Sequence, residues 1–283
     1  MNIHSFNDID QVRNNNNIQN SALGRNNNGE LMTNGIYKIK SLTFLILCTL
    51  LSFYILQLFL YYIFFKTNGK TWNCLLVTLG ANQISFVVHK YQYFRLITDV
   101  LLHASLTHLL SNMLSLTLIG FYLESALKNN CHYLSIFLVS GLYGSLTSLL
   151  FSSNNISVGA SGAIIGLCGY FTVFCILNYN NMDEREKRCY LMFFIVLAMN
   201  LFAGFFEQNS NIDSYGHIGG YIGGLAYAIV LTLKKNVNYS LSQNTVKLAY
   251  WGAIVYLVAF PVIAVFVSNM RKIPNIGDYI CGI

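Results

Sequence analysis

Apolar stretches of about 20 residues, the length of helix that crosses a hydrocarbon core, recur along the chain between breaks of charge, Gly and Asn. Seven such stretches are expected to be transmembrane helices: 41–65, 100–123, 133–151, 156–179, 190–206, 215–233 and 248–268. The fifth is the shortest. A long connection, 66–95, separates the first two and carries a mixed apolar stretch, 72–79, suited to the membrane interface. Residues 1–40 break the pattern: they are polar and rich in Asn, with runs at Asn14 to Asn17 and Asn26 to Asn28. They lack the apolar core of a signal peptide and are expected to form a disordered cytosolic tail. The pattern therefore divides the chain into a tail (1–40), a helical core (41–233), and a connecting loop, last helix and short tail (234–283).

Composition supports an all-α polytopic membrane protein. Hydrophobic residues make up 54% of the 283 and charged residues only 10%, against roughly a quarter charged in soluble domains. The seven cysteines form no C-x-x-C pair and no Cys/His spacing suited to zinc. They suggest neither a disulfide framework nor a metal site, and read as small packing residues. A net charge of +6 does not point to nucleic acid, because the basic residues form no continuous stripe.

Loop charge predicts orientation. With the N-terminus in the cytosol, that side holds Arg13, Arg25, Lys38, Lys40, Lys128, Arg185, Lys187, Arg188, Lys234, Lys235 and Lys247, eleven of the seventeen basic residues. Lys66, Lys70, Lys90, Arg95, Arg271 and Lys272 fall outside. The N-in, C-out arrangement disfavours a seven-helix receptor of the N-out kind.

Ionisable residues inside spans are expensive and mark functional sites. Few occur: His103, His108 and Glu124 in the second span and His217 in the sixth, while Asp99, Asp183, Asp213 and Asp278 lie at ends or in loops. That disfavours an aspartyl protease, which needs two buried carboxylates, and the lack of H-E-x-x-H removes a zinc protease. A transporter is disfavoured too, having neither embedded acids nor paired broken helices. Ser161, expected about five residues into the fourth span, and His217 in the sixth lie at similar depth below the outer face. His108 and Asn112, spaced i, i+4, join them at that level. His103 is expected to face elsewhere, about 140° around the helix. The stripe Gly159, Gly162, Gly166, Gly169 and the answering Gly216, Gly220, Gly224, Ala228 would let two helices approach closely. That approach brings a serine oxygen to a histidine base. Ala226, about 240° around from Gly220, is expected to face lipid.

These residues resemble the rhomboid family of intramembrane serine proteases, in its eukaryotic secretase form with a six-helix bundle plus a seventh C-terminal helix. The match covers about residues 42–268. It rests on Leu79-Gly80-Ala81-Asn82, Arg95-Leu96-Ile97-Thr98, His103 with His108 and Asn112, Glu124, Gly159-Ala160-Ser161-Gly162, and His217 with Gly220 and Gly224. The resemblance implies a Ser161–His217 dyad acting through an acyl-enzyme, with His108, Asn112 and the Ser161 N–H as oxyanion donors. Glu124 and Arg95 would be structural, and no cofactor is implied. Where some bacterial members carry an aromatic residue one turn after the serine, this chain has Ile165. Asp213 is read as a helix cap with Ser214 in preference to a third catalytic member. Expected partners are the lipid bilayer and single-pass membrane proteins cut near the outer end of their spans. The Asn tracts resemble those of AT-rich protist genomes such as apicomplexan parasites, which would make surface adhesins a substrate class. The expected location is the plasma membrane or a secretory or apical organelle membrane, with the site opening outward. The competing reading is a catalytically inactive rhomboid-like factor for binding or quality control of membrane proteins.

Overall fold

The computed structural model describes residues 41–127, 129–151, 156–179, scattered positions between 184 and 198, and residues 213–233, 242–271 and 281. The long helices are α1 (Leu42–Leu60, extended by a π-turn over Tyr61–Phe65), α5 (Leu106–Leu127), α6 (Asn130–Phe151), α7 (Ser161–Asn178), α8 (Ser214–Leu233) and α9 (Gln243–Met270). The first connection holds three short helices, α2 (Trp72–Leu79), α3 (Ile84–His89) and α4 (Arg95–Thr98). Among the described residues five helices are long and apolar enough to cross a membrane, and the shorter α7 is apolar as well. The chain is thus an all-α, multi-pass membrane protein. The expected span at 190–206 lies largely outside the described residues; Phe194 and Leu197 within it pack against Ile165 and Cys168 of α7.

Two helices start later than the hydropathy pattern suggests. The second begins at Leu106, not near 100, because Ser105 caps it by accepting the His108 N–H at 3.1 Å. His103 therefore precedes the helix, and its ring lies 5.3 Å from that of His108, on the same side. Helical arithmetic placed it wrongly because the residue is not helical. The fourth begins at Ser161: the preceding Ile156 to Ala160 is not helical and pairs with the first connection at Ser157, the Asn82 and Ser157 backbones exchanging bonds of 3.0 and 2.9 Å.

The centre of the bundle is α6, α7 and α8, packed on one another more closely than any other helices. A Cβ on Gly220 would stand 2.2 Å from the Gly162 carbonyl oxygen, and one on Gly224 2.1 Å from that of Gly166. Only hydrogen fits there. A Cβ on Gly166 would strike Ser140 of α6 at 2.0 Å, whereas Gly162 has more room, with 3.3 Å to the Gly216 oxygen. On the adjoining side of α8, Gly219 and Gly223 lie against Thr147 and Tyr143 of α6. Ala226 belongs to this buried side, not to lipid, since it follows Gly219 and Gly223 at helical spacing.

Around this trio the ends are tied by polar groups. Glu124, at the far end of α5, accepts the Leu42 N–H (2.6 Å), the Thr43 N–H (2.9 Å) and the Ser41 hydroxyl (3.0 Å), closing the open donors at the start of α1. The last helix docks on α6. Pro261 removes the N–H that would bond Leu257 C=O, and the Tyr143 hydroxyl donates to that carbonyl instead. Arg271 donates to Leu149 and Leu150 at the end of α6. Cys74 of α2 is disulfide-bonded to Cys281, which corrects the expectation that no disulfide forms. Spacing could not reveal a partner 207 residues away.

Candidate active site

The site is assembled from four segments. Arg95, buried at the start of α4, donates to the carbonyls of Val77 (2.6 Å) and Ala81 (3.0 Å) and lies over the Phe86 ring at 4.5 Å. These bonds fix the turn after α2, where Gly80 takes a left-handed φ of +106° that glycine adopts without strain. Burial among these groups lowers the Arg95 pKa to about 10, leaving it cationic at neutral pH. The turn in turn presents Asn82, whose side chain reaches Ser145 O on α6 at 2.9 Å while its backbone pairs with Ser157. The first connection thus acts as a strut under the segment that leads into Ser161.

That segment ends in a second left-handed glycine, Gly159, with φ +123°. Its N–H donates to Asp99 O at 2.9 Å. A Cβ there would lie 2.7 Å from His108 Cε1, 2.8 Å from its Nε2, and 3.4 Å from Asn112 Nδ2. Gly159 therefore lies outside the helical stripe assigned to it by spacing; its small size lets His108 and Asn112 approach the backbone beside Ser161. Asn112 is 5% exposed and its Nδ2 has no partner. A buried amide donor left open needs an explanation, and one beside a serine at a helix start suits an anionic oxygen.

Ser161 occupies the first position of α7, where helix N–H groups lack intrahelical acceptors and the helix dipole is positive. Its Oγ lies 2.9 Å from His217 Nε2. His217 is in the first turn of α8, set by Asp213, whose Oδ1 accepts the Gly216 N–H at 2.8 Å and whose backbone O accepts the His217 N–H at 3.0 Å. Asp213 is thus the α8 cap, as the sequence suggested, and its Oδ2 also holds the Ser157 hydroxyl at 2.5 Å. Ile165, one turn after Ser161, packs with Cys168 and Leu197, away from any ring stack on the histidine.

Sequence reasoning missed one group. Asp99, which the sequence places at a span's end, is buried beside Ser161 and His217 and accepts the Ser145 hydroxyl at 2.6 Å. A cavity of about 20 Å³ separates it from Ser161, His217 and Asp213, which line the other walls. Its place directly after Arg95-Leu96-Ile97-Thr98 was the available signal, because Arg95 draws that stretch into the protein.

A family model described as "Rhomboid domain" matches residues 90–234, half of the chain. RHOMBOID-like protein 2 of Arabidopsis thaliana is 36% identical over 166 residues, 59% of this chain and 51% of that protein. Rhomboid protease GluP of Bacillus subtilis (strain 168) is 35% identical over 183 residues, 65% of this chain and 34% of that protein. Rhomboid-like protease 3 of Toxoplasma gondii is 29% identical over 162 residues, 57% of this chain and 59% of that protein. The chain thus spans between about a third and three fifths of the length of these relatives. The matched region contains Arg95, Asp99, His108, Asn112, Glu124, Ser161 and His217, and on this evidence the chain belongs to the rhomboid family.

Proposed function

We propose that this chain is an intramembrane serine protease that hydrolyses peptide bonds of single-pass membrane proteins in or near the outer part of their spans. The observation that carries the reading is the 2.9 Å contact between Ser161 Oγ and His217 Nε2, with the open Asn112 amide close to Gly159, two residues before the serine. In this reading His217 Nε2 takes the Ser161 proton as Oγ attacks the scissile carbonyl carbon. The carbonyl oxygen becomes an oxyanion that accepts bonds from Asn112, His108 and the Ser161 N–H; preorganised donors of this kind gain strength where water is scarce. His217 then returns the proton to the leaving amine, and the acyl-enzyme forms. A water, deprotonated by the same imidazole, hydrolyses it.

Two relatives that carry "protease" in their names support the activity class, and the intact Ser161–His217 pair favours it over an inactive binding factor. The outward opening of the site is part of the proposal. It is supported by the charge bias of the loops and by the Cys74–Cys281 disulfide, since disulfides persist in oxidising compartments outside the cytosol. That bond joins the connection before α3 to the C-terminal tail, both assigned outward. Surface adhesins remain the proposed substrate class within the single-pass proteins.

The test is labelling of the purified full chain by a fluorophosphonate probe, together with cleavage of a panel of single-pass substrates. Wild type should label and cleave. Ser161→Ala should do neither while inserting normally, because removal of one hydroxyl at the start of α7 costs little packing. His217→Ala should lose activity by about 10³-fold or more, a serine without its base being a weak nucleophile. Cleavage retained by Ser161→Ala refutes the enzyme.

A further inference from the structure

The carboxyl group of Asp99 is 3% exposed, and its surroundings are unusual for a charge. Its Oδ2 accepts the Ser145 hydroxyl, its Oδ1 is buried with no partner, and the residue lines the cavity behind Ser161 and His217. Val100 N–H and the Asn82 amide are the other donors turned toward it. Among the described residues the cavity lining contains no Lys or Arg, and its ionisable members are Asp99, Asp213 and His217. A volume of about 20 Å³ admits one water. Asp213 lines the same small space, and a second carboxylate nearby adds to the burial that disfavours the charged form of Asp99. The two are not equivalent. Asp213 accepts the Gly216 N–H on one oxygen and the Ser157 hydroxyl on the other, so both of its oxygens have donors. Asp99 has one strong donor and an open oxygen, so the proton belongs to it.

We propose that Asp99 is a positioning residue that works as a neutral carboxylic acid, its Oδ1–H directed across the cavity toward Asp213, so that the pair carries a single negative charge at the cap of the histidine helix. Through its backbone oxygen Asp99 holds the Gly159 N–H, and through its side chain it holds Ser145 of α6. It thereby ties the turn before Ser161 to the wall facing His217. The inference rests on the proposed protease reading only for its kinetic readout.

Loss of the proton would place a second negative charge against Asp213 and force the walls apart or draw water between them. Either result displaces Gly159 and, with it, the Ser161 turn. Burial, with the Asp213 charge adding to it, raises the Asp99 pKa from 3.8 to about 8, against the opposing bonds from Ser145, Val100 and Asn82. The group is therefore neutral below that pH and ionises above it, so the displacement belongs to the alkaline side.

The experiment uses the full chain in proteoliposomes, with cleavage of a single-pass substrate followed from pH about 6 to about 10 for wild type, Asp99→Asn and Asp99→Leu. Wild-type kcat should fall about tenfold per pH unit above about 8. The asparagine, a neutral isostere with a donor in place, should rescue cleavage and remove that alkaline fall. The leucine should lower kcat by more than about tenfold at every pH. A second readout needs no activity: infrared spectra should show a protonated carboxyl C=O band near neutral pH that is lost on alkalinisation and absent from Asp99→Asn. The band present with no cleavage by any variant would retain the proton assignment and refute the protease. An unchanged alkaline limb in Asp99→Asn, or absence of the band in folded wild type, overturns the proposal.

Discussion

Gly220→Ala isolates the contact on which the Ser–His geometry depends. The added Cβ would lie 2.2 Å from the Gly162 carbonyl oxygen, 2.7 Å from its carbonyl carbon and 2.9 Å from its Cα. All three atoms are backbone, so no side-chain rotation relieves the clash. Non-bonded carbon and oxygen need about 3.2 Å or more, so α7 and α8 must separate by roughly 1 Å at this level. Gly162 follows Ser161 directly and Gly220 lies one turn after His217, so most of that separation passes to the 2.9 Å Oγ–Nε2 contact. A misplacement of about 1 Å costs on the order of 10²-fold in rate, and Gly220→Ala should lose cleavage by that factor with both reacting side chains intact. Ile222 is 42% exposed on the same helix, so Ile222→Leu is the control and should cleave at the wild-type rate. Ala226, despite its small side chain, cannot serve as the control, because it is buried. The assay is the initial rate for all three proteins at equal folded abundance in the membrane. A wild-type rate for Gly220→Ala would show that close approach of α7 and α8 does not set the dyad.

Two further outcomes concern the outer ends of the molecule. Cys281→Ser should abolish the reduction-sensitive mobility shift on non-reducing gels and lower the thermal midpoint. The effect should be about 2 kcal/mol, in the low part of the range for long loops because membrane insertion already confines both ends; an unchanged midpoint would show that the Cys74–Cys281 bond is not part of the folded protein. Glycosylation acceptors placed at residue 68 and after residue 271 should be modified, whereas acceptors at residue 20 or 186 should not, and modification at 186 would reverse the orientation proposed for Ser161.

What was legible in the sequence was whatever a helix's own periodicity encodes. Gly220 and Gly224 show as a small-residue face, and His108 with Asn112 as one face of α5, because both members of each set sit on one continuous helix. Glu124 and Arg95 show as isolated charges in apolar surroundings, each of which must find partners: one caps α1 and the other braces the turn after α2. Illegible were the groups whose neighbours depend on non-helical backbone. Hydropathy cannot tell Ile156 to Ala160 from a helix, since the segment is apolar and its backbone groups are satisfied by Asn82 and Asp99 and not by a helical ladder. For the same reason Asp99 read as a loop end although it is buried. Ala226 was misplaced because the angular argument assumed that α8 has one packed face; Gly219 and Gly223 against α6 give it a second.

In the proposed mechanism, the late start of α7 is what suits a serine inside a membrane protein to acyl transfer. Had the helix begun at 156, the N–H of Ser161 would have been bonded to the carbonyl four residues earlier and unavailable to an oxyanion. Starting the helix at the serine frees that donor and points the positive end of the dipole at the reacting oxygen. The cost is a stretch of apolar backbone, Ile156 to Ala160, whose polar groups cannot be left unpaired at this depth. Asn82 and Asp99 supply the partners, and Arg95 holds the turn that carries Asn82. The first connection is therefore no mere link between spans: it pairs with the non-helical segment that leads into Ser161. Among the described polar groups around Ser161, Asn112 Nδ2 and Asp99 Oδ1 are buried without a partner. One lies beside the place of the oxyanion and the other belongs to a residue that lines the cavity behind the nucleophile, so each has a distinct proposed task, transition-state stabilisation for the first and proton retention for the second.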